Sequence, residues 1–311
     1  MLDFNRNPLV FHEAFAAISS PDSIVPQVEQ RAYWDNQTVE VSLQGSQHVR
    51  LDWGKYRLRW ELNKAIGIER IHEAKEATTD SSPGVARVPM PRVDHAQLIP
   101  VTLSLMVLET GFEVAHRTYD LLVLPSRAAQ ARYGHDVAVI TTDGSESAIV
   151  RQLNYLVTDH MSVDTHIVVT NRPDNELLAW VRGGGKMLFV SESDNPAFWQ
   201  HGRRSVSDVN WITSSSWLKP EVYAHLKIDD PLNLPFERVR PRGYIAGLPH
   251  EDPMVQDDFL AGQISGWVQR PNIHTVQFSY GYGKVIMTTY ALLDALRVGH
   301  PDPVGVLMLN D

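Results

Sequence analysis

Apolar and polar positions alternate with a period of two along much of the first third of the chain. Thr38-Val39-Glu40-Val41-Ser42-Leu43 and Arg57-Leu58-Arg59-Trp60-Glu61-Leu62 both follow it, as strands with one buried face do. The alternation returns over Gln97–Val107 and again near Tyr119–Leu124. Between Glu73 and Asp94 the polar, proline-rich stretch ATTDSSPGVARVPMPR predicts a long connection with one short edge strand. Strands at this spacing, separated by turn signals, predict a β-sandwich.

After Pro125 the pattern changes. Asp136–Thr141 reads as a strand, Glu146–Val157 as a helix, Thr165–Thr170 as a strand and Asp174–Arg182 as a helix. That helix stops on Gly183-Gly184-Gly185, and the apolar run Met187–Val190 comes next, short enough for a strand covered on both faces. A β-α-β-α-β order implies right-handed crossovers and a parallel sheet, so the expected fold is a doubly wound α/β domain of flavodoxin type. The expected organisation is a sandwich over residues 1–126, a linker over 127–135 and the α/β domain over 136–311, with a tryptophan-rich insertion at about 195–253. Further on, Asp257–Ile264 is a helix candidate, and Thr275–Tyr280 with Lys284–Thr289 reads as a hairpin turning at Gly281-Tyr282-Gly283. The sequence stops inside a helix pattern that starts near Asp302, which suggests a piece of a longer chain.

Composition narrows the partners. With 43% hydrophobic and 21% charged residues the chain is ordinary globular material. A net charge of -9 speaks against nucleic acid, whose phosphates need a basic face. No apolar run reaches bilayer length and no signal-peptide pattern opens the sequence, so no membrane partner is expected and the cytoplasm is the expected compartment. The absence of cysteine removes disulfides, thiolate metal sites and thiol nucleophiles together.

In a parallel sheet, ligands bind beyond the carboxyl ends of the strands. Glu192, Asp194 and Trp199 come directly after the Lys186–Ser191 strand and are the first candidates. The period-free insertion adds Trp211, Trp217 and the loop His250-Glu251-Asp252. Indole faces suit the C–H faces of sugar rings, and glycosidases need two carboxyl groups roughly 5–10 Å apart. Glu192 and Glu251 are therefore the candidate catalytic pair, with Asp194, Trp199, Trp211, Trp217 and His250 as substrate-binding candidates. The plainer alternative makes the acids solvated and the tryptophans packing residues. The 13 histidines are scattered, with no helical H-x-x-x-H pair, so no metal is expected, and lone histidines such as His12, His166 and His274 read as packing or surface residues. Thr142-Asp143-Gly144-Ser145 lacks the glycines and lysine of a phosphate loop and reads as a capped turn, so no cofactor is expected.

Three stretches, DFNRNPLVFHEAFAAISSPDSIVP, DHAQLIPVTLSLMVLETGFEVAHRTYDLLVLP and GYGKVIMTTYALLDALRVGHPDPVGVLMLND, resemble the region after the catalytic barrel in glycoside hydrolase family 2 proteins of β-galactosidase type. The resemblance implies a β-sandwich followed by a domain like class I glutamine amidotransferases but without their catalytic cysteine. The family's jelly roll, immunoglobulin-like domain and glutamate-bearing barrel have no counterpart here, so no catalytic residue is carried over. Two functions are then expected in turn. One is an accessory region that packs against a missing catalytic part, forms homo-oligomers or binds a galactoside-like carbohydrate weakly. The other is a glycosidase in its own right, using Glu192 and Glu251.

Overall fold

The computed structural model describes residues 24–45, 55–62, 71–76, 85–129, 136–140, 156–158, 160–191, 204–206, 213–228, 234–248, 259–265, 270–297 and 301–311. They form two compact units that meet in sequence between Val123 and Leu124, with Asp94–Ala96 counted in the second.

The first unit holds β1 (Ile24–Gln27), β2 (Ala32–Trp34), β3 (Thr38–Gly45), β4 (Tyr56–Leu62), β5 (Ile71–Glu76), β6 (Val85–Pro89), β7 (Gln97–Val107) and β8 (Glu113–Leu124). One sheet runs β1-β3-β6 and the other β2-β8-β7-β4-β5. The alternation of the sequence is the feature that joins them. Val39, Val41 and Leu43 of β3 and Ala86 and Val88 of β6 share one core with Leu58, Trp60 and Leu62 of β4 and Val101, Leu103 and Leu105 of β7. The polar residues between them face outward, as in Arg87–Glu40 at 2.9 Å across β6 and β3. Glu73–Glu76, expected at the start of a connection, belong instead to β5, which pairs with β4.

The second unit begins with β9 (Asp136–Ile140), β10 (Leu156–Thr158), β11 (Thr165–Thr170), α1 (Asn175–Arg182) and β12 (Lys186–Val190). It continues with β13 (Arg204–Val206), β14 (Thr213–Leu218), β15 (Tyr244–Ala246), β16 (Phe259–Ser265), β17 (Arg270–Tyr280), β18 (Gly283–Thr288), α2 (Leu292–Arg297) and α3 (Pro303–Asn310). Its sheet is ordered β10-β9-β11-β12-β18-β17-β15-β13, with β14 and β16 attached through β17. Pairing is parallel from β10 to β18 and antiparallel beyond.

This corrects the expected fold class. The unit is not a helix-rich, doubly wound domain of flavodoxin or amidotransferase type; among the described residues strand predominates over helix, and they form three sheets. The departure begins after β12. Only β18 extends the parallel part, and the described residues of the period-free stretch supply short antiparallel strands. The stretch Asp257–Ile264, expected as a helix, is from Phe259 on part of β16, buried along most of its length and paired with β14 and β17; burial on both faces erases the period-2 signal. Leu156 and Val157, expected to end a helix, pair with Asp136 and Val137 as β10; residues 141–155 lie outside the described ones.

Local chemistry fixes the ends of α1. The Asp174 carboxylate accepts the Leu177 N–H at 2.9 Å, Arg182 occupies the last turn, and Gly184 takes φ 120°. The β17–β18 hairpin seats directly on that end: Tyr282 N–H donates to the Arg182 carbonyl at 3.0 Å and Lys284 N–H to that of Gly185 at 3.2 Å. A Cβ on Gly283 would overlap the Val181 carbonyl oxygen, so the approach requires glycine.

Candidate functional site

The carboxyl ends of β11, β12 and β18 carry hydroxyl residues side by side. Thr170, Ser191, Thr288 and Thr289 are all buried there, and Ser191 N–H extends the ladder by donating to the Thr288 carbonyl at 2.7 Å. The Thr275 and Thr288 hydroxyls bond each other at 2.9 Å, and the Thr289 hydroxyl donates to the Gly243 carbonyl at 2.7 Å.

His274 completes this cluster. Its Nδ1 lies 2.8 Å from the Gly243 carbonyl, which can only accept, so Nδ1 carries the proton and Nε2 is left as an acceptor. Burial lowers the imidazole pKa to about 4, the Gly243 hydrogen bond acting in the opposite sense. The ring is therefore neutral near pH 7. Among the described residues its Nε2 and the Tyr290 hydroxyl are buried without a partner, and the two rings meet edge to face at 5.9 Å. Burial likewise pushes the Tyr223 phenol up to about 12, while its hydrogen bond to Thr275 pulls it down. A cluster of this kind offers uncharged acceptors and hydroxyls, suited to holding a polar group and not to proton transfer at neutral pH.

A second arrangement pairs His225 with Asp311. The Asp311 carboxylate approaches His225 Nδ1 at 2.5 Å and accepts the His225 backbone N–H at 3.1 Å. The carboxylate fixes the ring orientation and leaves Nε2 facing away from it.

Of the residues expected at the site, Glu192, Asp194, Trp199, Trp211, His250 and Glu251 lie outside the described residues. Trp217 is described. It sits half-buried on β14, packed against the core of β12, β17 and β18, with its indole where a Cβ on Gly262 would stand. Among the described residues no group of three or more His, Asp or Glu could hold a metal ion, and no helix is long and apolar enough to cross a membrane. Neither His274 as a site residue nor Tyr290 and the threonines emerge from the sequence pattern, although the polar run Thr288-Thr289-Tyr290 closing an apolar strand is a usable signal.

No protein-family model and no characterised protein matches the chain. Among solved structures it is similar to a β-galactosidase from Bacillus circulans sp. alkalophilus, at 10% identity and TM-score 0.28, over 57% of this chain and 31% of that one. A polyextremophilic β-galactosidase from the Antarctic haloarchaeon Halorubrum lacusprofundi gives 10% identity and TM-score 0.30, over 58% of this chain and 30% of that one. A cycloisomaltooligosaccharide glucanotransferase of Paenibacillus sp., complexed with cycloisomaltoheptaose, gives 8% identity and TM-score 0.21 over 63% and 30%. The chain spans less than a third of the length of each of these proteins.

Proposed function

We propose that this chain is an accessory, non-catalytic portion of a β-galactosidase-like glycoside hydrolase, docking to a catalytic region and binding carbohydrate weakly at the carboxyl edge of its parallel strands. The observation that carries the reading is where the resemblance-bearing residues fall. The stretch Asp94–Pro125 supplies the β7–β8 hairpin, with Leu103, Leu105 and Leu121 in the core, and the stretch Gly281–Asp311 supplies β18, α2 and α3, with Val285, Met287, Leu296 and Leu307 buried. In these two stretches the likeness to that family lies in framework residues; the first stretch, residues 3–26, falls outside the described residues up to 23. The buried acids support the same reading, since Asp302 caps α3 and Asp311 holds His225, leaving neither for the carboxyl pair that glycoside hydrolysis requires.

The test uses the pure chain. Nitrophenyl β-galactoside should release no nitrophenolate above the buffer rate, and galactose or lactose should bind with a millimolar Kd in a calorimetric or NMR titration. Sustained turnover that disappears in Glu192→Gln overturns the accessory reading, and absence of galactose binding at high millimolar concentration removes its carbohydrate part.

A further inference from the structure

A cavity of about 400 Å³ lies in the second unit, on the side of the parallel sheet that α3 and Leu292 of α2 approach. Its floor can be read from strand register, because residues paired across neighbouring strands project from the same face. At the amino end Lys186 lines the cavity beside Ile167, and its register partner Lys284 stands next to it just outside the lining. Two residues on, Val169, Leu188 and Ile286 form an apolar row. Two residues further, Thr288 pairs with Thr275. The face thus changes from cationic to apolar to hydroxylic over four residues, about 13 Å of strand.

Each end places a demand on an occupant. Lys186 and Lys284 are exposed neighbours, and among the described residues neither ammonium has an ion-pair partner. Two adjacent like charges are relieved by an anion. At the far end the Thr275 and Thr288 hydroxyls satisfy each other and Tyr223 bonds Thr275, so no polar group is required there. Asp311, which also lines the cavity, disfavours a second anion at that end. The volume falls within the range of small-molecule sites, and a mostly apolar lining with a few placed polar groups is their usual composition.

We propose that this cavity binds a single-chain anionic amphiphile, its head on the Lys186–Lys284 pair and its apolar body along Val169, Leu188 and Ile286 towards Thr288. A medium-chain carboxylate of about eight to ten carbons matches the distance from the lysines to the threonines. The cavity meets the carboxyl-edge cluster at Tyr223, Thr275 and Thr288, but its cationic end lies at the opposite end of the strands and its ligand does not depend on the glycosidase reading.

Calorimetric titration of the full chain with hexanoate, octanoate and decanoate, each below its micelle concentration, tests the proposal. One molecule should bind per chain, with affinity rising about fourfold for each added methylene. Decylammonium, which has the same body and the opposite head charge, should bind at least tenfold more weakly than decanoate. The double variant Lys186→Gln, Lys284→Gln alters only exposed side chains, so its melting temperature should be unchanged while decanoate affinity falls about tenfold. Equal binding of decanoate and decylammonium, no saturation, or full affinity in the double variant would each overturn the proposal.

Discussion

Asp302 and His274 titrate in opposite senses. Burial raises the Asp302 carboxyl from 3.8 to about 6, so the folded chain keeps this proton longer than the unfolded one, and stability is lost as pH rises from about 4 to 6. Burial lowers His274 from 6.5 to about 4, so the unfolded chain takes up the proton first, and stability is lost as pH falls from about 6.5 to 4. In the shared window the slopes nearly cancel. Asp302→Asn keeps a side-chain oxygen for the Val304 and Gly305 N–H groups that Asp302 now caps but cannot ionise. It should therefore raise stability at pH 7 by about 2 kcal/mol. Between pH 6.5 and 4.5 its thermal midpoint should fall more steeply than that of the native chain, as monitored by circular dichroism. Trp217 gives a second check: removing an indole packed on Gly262 and the core leaves a cavity. Trp217→Ala should thus cost about 3 kcal/mol in urea denaturation.

The contact between the end of α1 and the β17–β18 turn depends on backbone approaching backbone. Gly283→Ala would force a methyl onto the Val181 carbonyl oxygen and should cost about 3 kcal/mol or more in chemical denaturation. Gly184→Ala meets no atom within 4 Å, but its φ of 120° strains any residue with a Cβ, so it should cost about 1–3 kcal/mol through the backbone alone. The elements legible in the sequence share a physical cause. β7 and β8 alternate because one face is solvated along part of their length; α1 shows its cap and its glycines; and the hairpin turn shows Gly281. Those missed are strands whose identity comes from their neighbours. β10, β13 and β15 have three residues each and arise from pairing with β9, with each other or with β17, while β16 carries no alternation because it is covered on both sides. The doubly wound expectation extended a true local order, β9 to β12, past the point where it ends. The site was legible only as a place: the carboxyl edge is set by strand order, but threonine is a routine strand residue, so nothing in the pattern marks Thr275, Thr288 and Thr289 as one cluster with His274.

Each unit has a core of its own, the first built on residues such as Trp60 and Leu103 and the second on Phe189 and Val285. Scanning calorimetry should accordingly resolve more than one transition, and Leu103→Ala, costing about 2–5 kcal/mol, should move only one of them. The strand order of the second unit also sets the sequence of events as the chain folds. β12 takes as its parallel neighbour β18, roughly a hundred residues further along, so this pairing carries a large loop-closure cost and should form late. Until then the edge of Met187-Leu188-Phe189-Val190 has no partner on that side, and an apolar open edge is a template for pairing with another chain. Refolding from denaturant should therefore lose yield as protein concentration rises. A peptide copying β18, Gly283–Thr288, should act on that yield by occupying the open edge before another molecule does.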